Sequence, residues 1–473
     1  MLLDDAISEI RNGPQGPHIG AFFDFDGTVV HGFSGFPLYR QLWRPRTART
    51  AELTRTMLAG IRGGKTEAQF ESFMDLALHS FKGRTEAELE DIGQKVFEKR
   101  IAGHLYPEAW RLVQAHLEAG HTVVIASSAT RFQIEPAARA LGVTNVLFTP
   151  LEAVDGVLTG RVAGKTLWRS GKAAAVRRFA DANGLDMTQS YAYSNGGEDV
   201  EFLAAVGHPV AVNPDRQLSK QAEARQWPVL RFAPRGLGNV ARTAAGFGGF
   251  FGGALVGAGI AAFGGDRRHG LDRMAQLVGD LTLGGAGVRL RVIGEHNARS
   301  PRPAVFVFNH QSQFDVPIVA KVLRSGFTGI AKQELTESPV IGPILKFAGT
   351  TFIDRANSEK AREALAPVVD TLRSGVSVAI APEGTRSYTP SVGPFKKGAF
   401  HIAMQAGVPI IPIVIRNAGE VFWRNAATVR PGTVDVAVLD PIDVSGWDPA
   451  DIDAQAAQLR QRYQDMILNW PTG

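Results

Sequence analysis

Twenty-three consecutive residues without a charge, Thr243 to Gly265, divide this chain. They read TAAGFGGFFGGALVGAGIAAFGG, nine glycines and six alanines among them, and are bracketed by Arg242 on one side and Arg267 and Arg268 on the other. As a helix they would reach roughly 34 Å, the thickness of a bilayer core. So much glycine suits a lipid-facing helix poorly, but Gly249, Gly253 and Gly257 recur every four residues and would let a second helix approach closely. A flexible linker is the alternative. Residues 231 to 302 hold ten arginines and no lysine against four acids, a net +6. An apolar run with basic flanks points to a membrane surface with anionic lipids, and no nucleic acid is expected as a partner. Positive charge at both ends favours neither orientation of a span. The expected placement is therefore a helical segment lying in, or dipping into, one leaflet at the cytoplasmic face.

The two sides of this run differ. At 473 residues the chain is too long for one core, and its 44% hydrophobic and 21% charged residues describe folded domains. The expected division is residues 1–232, a connecting segment 233–300 and residues 301–473. Before the run, an apolar strand at 18–26 and a second, TVVIASSAT at 122–130, frame about 90 residues of helical pattern. Helix and strand then alternate to VGHPVAVNP, which predicts a parallel sheet covered on both faces. After Pro301, AVFVFN, VSVAIAP and VPIIPIVI read as buried strands of a second α/β domain. There is no cysteine, which excludes disulfides, thiolate metal sites and an acyl-cysteine intermediate. The start MLLDDAISEI carries acids where a secretory signal carries a basic head and an apolar run, so export is not expected.

The first strand ends in DFDGT, where alternation puts Asp24 and Asp26 on the same side. Of two such acids, one can attack a phosphoryl group while the other protonates the leaving oxygen, with magnesium between them. An acidic turn would leave the same trace. In order and spacing, residues 18 to 232 resemble the haloacid dehalogenase superfamily, in its phosphoserine-phosphatase-like branch. The resemblance implies a Rossmann-like domain with a helical cap over about 30–105, Asp24 as nucleophile and Asp26 as acid/base. It implies Ser127, at the end of TVVIAS, as a phosphoryl contact and Lys172 as its balancing charge, with Ser128 and Lys165 as weaker candidates. Magnesium would be held by Asp24, Asp26, Asn195 and Asp199. Asn195, in YSNGGEDV, stands where the family pattern has an acid. An amide oxygen brings no charge to a hard cation, so a weakened or retuned site is expected, unless Glu198 compensates.

In the second half, FNHQSQFD sets His310 and Asp315 five residues apart. On one regular helix they would point roughly 140° apart, so they meet only if His310 precedes a helix that carries Asp315 in its first turns. The imidazole so held could take a proton from an alcohol attacking an acyl group, although many histidine–aspartate pairs are structural. GTTFIDR carries Arg355, and APEGTRS places Glu383, Gly384, Thr385 and Arg386 in a loop after a strand, where two arginines could hold a phosphate. With VPIIPI at 408–413, these motifs resemble the glycerolipid acyltransferases that convert lysophosphatidic acid to phosphatidic acid. The resemblance implies His310 and Asp315 as the catalytic pair, Arg355 and the EGTR stretch as phosphate-binding, and acyl-CoA or acyl carrier protein as donor to a lysophospholipid. Lys332 is a further candidate for the phosphate. Two other readings remain open at this stage: a chain that is mainly a phosphatase with a lipid-binding second half, and a first half serving only as a regulatory scaffold or homodimer contact.

Overall fold

The computed structural model describes residues 1–42, 70, 74–75, 77–233, 237–353 and 365–471. The chain forms two compact units, Met1–Pro234 and Arg235–Gly473. Part of the expected cap and the whole of GTTFIDR after Ile353 lie outside the described residues.

The first unit is built on a six-stranded sheet. Its strands are β1 (Gly20–Phe23), β2 (Thr122–Ala126), β3 (Asn145–Leu147), β6 (Tyr191–Ser194), β7 (His208–Val212) and β8 (Val229–Leu230), ordered β3-β2-β1-β6-β7-β8. Every pairing is parallel. Such a sheet needs apolar residues on both faces, and GAFF and YAYS are buried at all four positions. From β1 the chain runs outward through β2 and β3, and later outward on the other side from β6. Ligand sites in such sheets lie at the carboxyl ends of the strands where the order reverses, here β1, β2 and β6. A small antiparallel pair, β4 (Leu151–Val154) and β5 (Val157–Val162), stands apart. Val30 bridges Leu105, and His31 N donates to His104 O at 2.8 Å, so the ends of the insertion after DFDGT lie side by side.

The second unit begins with two helices, Leu237–Phe263 and Arg267–Ala286, that fold back on each other. Their contacts run antiparallel through the glycines. A Cβ on Gly249 would lie 2.3 Å from Leu281 O, one on Gly253 2.8 Å from Val278 N, and one on Gly257 2.3 Å from Met274 Cα. The four-residue glycine spacing is thus the seam of the hairpin, in place of a flexible linker. Leu237–Phe263 is long and apolar enough to cross a membrane by length and composition. Leu255 and Phe263 on it are 73% and 93% exposed, unusual for large apolar side chains and therefore a candidate contact surface.

Behind the hairpin lies a seven-stranded sheet, ordered β12-β11-β13-β10-β14-β15-β9. Its strands are β9 (Val288–Ile293), β10 (Val305–Phe308), β11 (Phe327–Lys332), β12 (Thr351–Ile353), β13 (Ser377–Ile380), β14 (Ile410–Ile415) and β15 (Gly432–Val438). All pairings are parallel except β14 with β15. Alternation splits each central strand between two cores. Phe306, Ile411 and Ile413 pack on one face with Ile318 and Leu283, and Val305, Val307 and Ile410 on the other with Phe400 and Tyr463. The expected boundary at residue 300 is therefore corrected. Residues 288–293 pair with β15 and belong to the second sheet, with Arg291 held to Asp435 at 2.8 Å and 3.0 Å.

Candidate active sites

In the first unit, Asp24 follows β1 directly, and its backbone N–H donates to Tyr193 O on β6 at 2.9 Å. The turn after it is tight. The amides of Val29 and Val30 both donate to Phe25 O, and Gly27 adopts φ +84°. Glycine is required there, because a Cβ at Gly27 would lie 2.1 Å from Asn195 Nδ2. The close approach lets Thr28 Oγ1 reach Asp24 Oδ2 at 3.2 Å and Asn195 Oδ1 at 3.4 Å. The geometry therefore brings Asp24, Asn195, Asp199 and Lys172 together, and Thr28 with them.

Lys172 is buried and bridges the two acids, 2.7 Å from Asp24 Oδ1 and 2.6 Å from Asp199 Oδ2. Burial works against its charge, but Asp199 and Asp24 outweigh that and hold its pKa above the usual lysine range. Burial raises Asp24 against the opposing pull of Lys172. It raises Asp26 to about 7, although Ser34 N–H donates to Asp26 Oδ1 at 2.7 Å. Glu198 is pushed to about 7, first by burial and then by the charge of Asp199. Ser127, at the end of β2, is buried, and its hydroxyl accepts the Ala129 N–H at 3.2 Å. Lys165 is exposed, and Ser128 is engaged through its carbonyl by Thr149 at 2.8 Å.

Do these residues fit a metal ion? Among the described residues no three His, Asp or Glu side chains form a metal-holding group. Asn195 supplies what that count lacks, an amide oxygen that shares the Thr28 hydroxyl with Asp24, and Asp199 Oδ1 is buried without a hydrogen-bond partner. A carboxylate, an amide oxygen and a spare carboxylate oxygen are hard donors of the kind magnesium takes.

In the second unit, His310 sits in the loop after β10 and Asp315 opens the helix Asp315–Leu323. His310 Nδ1 is 2.7 Å from Asp315 Oδ2. The same oxygen accepts the N–H groups of Gln311 and Ser312, both at 2.8 Å. A carboxylate bound by two amides has its direction fixed, so the imidazole is fixed in turn. Asp315 is fully buried, while the His310 side chain keeps 23% of its surface exposed.

Glu383, read from the sequence as a substrate contact, is spent inside the protein. Its Oε1 accepts His310 N–H at 2.7 Å, and its Oε2 accepts Gly393 N–H at 2.8 Å and the Ser387 hydroxyl at 3.0 Å. It ties the EGTR loop to the backbone of the histidine and positions both. Gly384 holds φ +75° with the Lys396 side chain lying where a Cβ would point. Thr385 is exposed and Arg386 half-buried beside it, while Lys332 is exposed at the end of β11. Arg355 lies outside the described residues. The motifs did not single out Thr28, nor Arg424, whose Nη1 donates to the Arg386 carbonyl in the EGTR loop. A hydroxyl four residues after Asp24 was a visible signal for the first, and nothing local marks the second.

A model of the haloacid dehalogenase-like hydrolase family matches residues 21–204, and one of the acyltransferase family matches residues 289–416. Phosphoserine phosphatase SerB1 of Mycobacterium tuberculosis is 34% identical over 231 residues, covering 48% of this chain and 75% of that protein. The human 1-acyl-sn-glycerol-3-phosphate acyltransferase alpha is 38% identical over 175 residues, 37% of this chain and 62% of that protein. The chain thus spans under two thirds of that acyltransferase's length. The crystal structure of the 1-acyl-sn-glycerophosphate acyltransferase PlsC from Thermotoga maritima aligns with a TM-score of 0.43 at 24% identity, over 50% of this chain and 99% of that one.

Proposed function

We infer what this chain does from where it belongs: through residues 21–204 it belongs to the haloacid dehalogenase-like hydrolases, and in residues 289–416 it carries an acyltransferase domain. The second unit, in this reading, transfers an acyl group from acyl-CoA or acyl carrier protein to the free hydroxyl of lysophosphatidic acid, giving phosphatidic acid. The observation that carries it is the 2.7 Å contact between His310 Nδ1 and Asp315 Oδ2. With Nδ1–H donated to the carboxylate, Nε2 keeps its lone pair. It takes the proton of the acceptor hydroxyl as the oxygen attacks the thioester carbonyl; the C–S bond then breaks, and the proton passes to the departing thiolate. Arg386, and Arg355 by resemblance, take the acceptor's phosphate.

The first unit hydrolyses a phosphomonoester in the same reading. Asp24 attacks phosphorus, the P–O bond to the alcohol breaks as Asp26 protonates the leaving oxygen, and water then releases phosphate from the aspartyl phosphate. An acid with a pKa of about 7 is poised for that transfer near neutrality. Magnesium, held by Asp24, Asn195 and Asp199, would supply charge neutralisation at the phosphoryl oxygens. A lipid phosphate is a coherent substrate, because removing it from phosphatidic acid gives diacylglycerol. Asn195 also favours a second reading, in which the first unit is a regulatory or dimerising scaffold. The helical hairpin places the chain on anionic membrane at the cytoplasmic face, its exposed Leu255 and Phe263 toward lipid.

Paired variants test the assignment. His310→Ala should abolish acyl transfer and leave phosphate release from lysophosphatidic acid, phosphatidic acid or small phosphomonoesters unchanged, and Asp24→Asn should do the reverse. Near wild-type acyl transfer by folded His310→Ala overturns the first role. Absence of phosphate release from the wild type with every substrate favours the scaffold.

A further inference from the structure

The acyltransferase site holds one more cation than its motifs account for. Arg424 follows the short helix Ala418–Val421 and belongs to none of the motifs, yet its side chain returns to the EGTR loop. Its Nη1 donates to the carbonyl of Arg386, and its guanidinium lies over the Tyr388 ring with Cζ 3.8 Å from the centroid. Both contacts aim the side chain, and neither neutralises it. Its Nε is buried without a hydrogen-bond partner. Among the described residues, no ion pair involves Arg424 or Arg386.

Arg424 reaches the backbone of Arg386, both residues are partly buried, and two like charges brought into one such site are unfavourable unless an anion joins them. The tension is visible at Arg386, whose pKa is lowered first by burial and then by the charge of Arg424, with Asp315 opposing. The pair is also held at a fixed reach from the base. Ser387 N–H donates to His310 O at 2.9 Å, and Glu383 fastens both loops, so the backbone that carries Arg386 and anchors Arg424 is tied to that of the histidine.

We propose that Arg386 and Arg424 form a two-guanidinium clamp for the acceptor's phosphate, and that its charge selects a phosphomonoester over a phosphodiester acceptor. The inference rests on the acyl-transfer reading above. A phosphomonoester carries about −1.5 to −2 at neutral pH and offers three oxygens to forked donors, matching two guanidinium groups, whereas a phosphodiester carries a single charge. Arg424 is then a substrate-binding residue. The competing role is a strut that only holds the EGTR loop, and the two roles move different quantities.

The test uses the full chain in detergent micelles with acyl-CoA as donor and, as acceptors, lysophosphatidic acid and lysophosphatidylglycerol. Arg424→Gln is expected to raise KM for lysophosphatidic acid about tenfold, with kcat and the acyl-CoA KM within about twofold, and to reduce the preference between acceptors by a similar factor. Arg424→Lys, which keeps the charge and loses the fork, falls between. Should Arg424→Gln fail to fold by circular dichroism, Arg424→Met, whose thioether can pack on the Tyr388 ring in place of the guanidinium, is read the same way. Unchanged KM and preference overturn the clamp, as does an equal loss of kcat with both acceptors, which identifies a strut. A wild type that acylates neither acceptor overturns the acyl-transfer reading itself, and a wild type that acylates both equally overturns only the selection.

Discussion

Asp315→Asn isolates what the buried carboxylate contributes beyond its shape. Three donors converge on Oδ2: His310 Nδ1 at 2.7 Å and the amides of Gln311 and Ser312 at 2.8 Å each. An amide oxygen in that place accepts the same three, so the loop and the ring orientation survive. The charge is lost, and an amide N–H₂ takes the place of Oδ1, which is buried without a hydrogen-bond partner. When Nε2 takes the acceptor's proton the imidazole becomes a cation. With charge centres roughly 4 Å apart and an effective dielectric of about 20, the missing attraction is about 4 kcal/mol. At about 1.36 kcal/mol per decade, that is a ceiling near three orders of magnitude in kcat. Solvent reaches the partly exposed histidine and offsets part of it, so we expect a loss of about 10²- to 10³-fold with acceptor KM little changed. The assay is thiol release from acyl-CoA with lysophosphatidic acid, alongside a thermal melt to verify folding. Asp315→Ala would confuse the result, because it strands buried amides at about 1–3 kcal/mol each. A folded Asp315→Asn enzyme retaining more than about a third of wild-type kcat refutes the charge argument.

Asn195→Asp should lower the magnesium concentration for half-maximal phosphate release and tighten magnesium binding in calorimetry, because it adds a negative charge beside Asp24 that Lys172 does not neutralise. Identical magnesium titrations for the two proteins would mean that Glu198 or Asp199 already completes the site. Arg267→Glu with Arg268→Glu should weaken flotation with anionic liposomes by at least about tenfold, at about 1 kcal/mol for each basic group near such a surface; flotation indifferent to both changes removes the lipid contact from this end of the hairpin. In the first unit, Tyr193 OH, His116, His121 and Pro14 O form a chain of contacts at 2.8, 2.8 and 3.0 Å. Burial depresses the pKa of His116 well below 6.5, so the stability it contributes is present above about pH 6.5 and is lost as the pH falls toward the folded value. Hydrogen-exchange protection factors at β2 and β6, taken relative to intrinsic exchange at each pH, should fall between pH 7 and 5 in the wild type but not in His116→Phe, and pH-independent protection in the wild type would count against this sign.

The features that could be read from the sequence are those whose physics is local. A strand ending in paired acids, a histidine before a helix opened by aspartate, and glycines every four residues each state their geometry within a few positions. The arrangement of the strands is not local. Glu383 lies 73 residues from His310, and the two meet because β13 pairs with β10. From the motif alone its carboxylate reads as one more polar group facing the substrate, while in the fold three internal donors consume it. Arg424 escapes for the same reason, since its partners Arg386 and Tyr388 come from the loop after β13. Residues 288–293 are a different case. VRLRVI alternates apolar and basic residues with period two, and its burial alternates likewise, a strand signal available to inspection. It is submerged by the arginine count of the surrounding segment, which reads as a membrane-facing linker. One of those arginines, Arg291, is matched across the sheet edge by Asp435. Net charge summed over a segment therefore says little about membrane attraction until the partners of each charge are known: at the hairpin's turn Arg268 lies 3.7 Å from Asp272, while Arg267 donates to the Phe347 carbonyl and keeps its charge without an acid partner among the described residues.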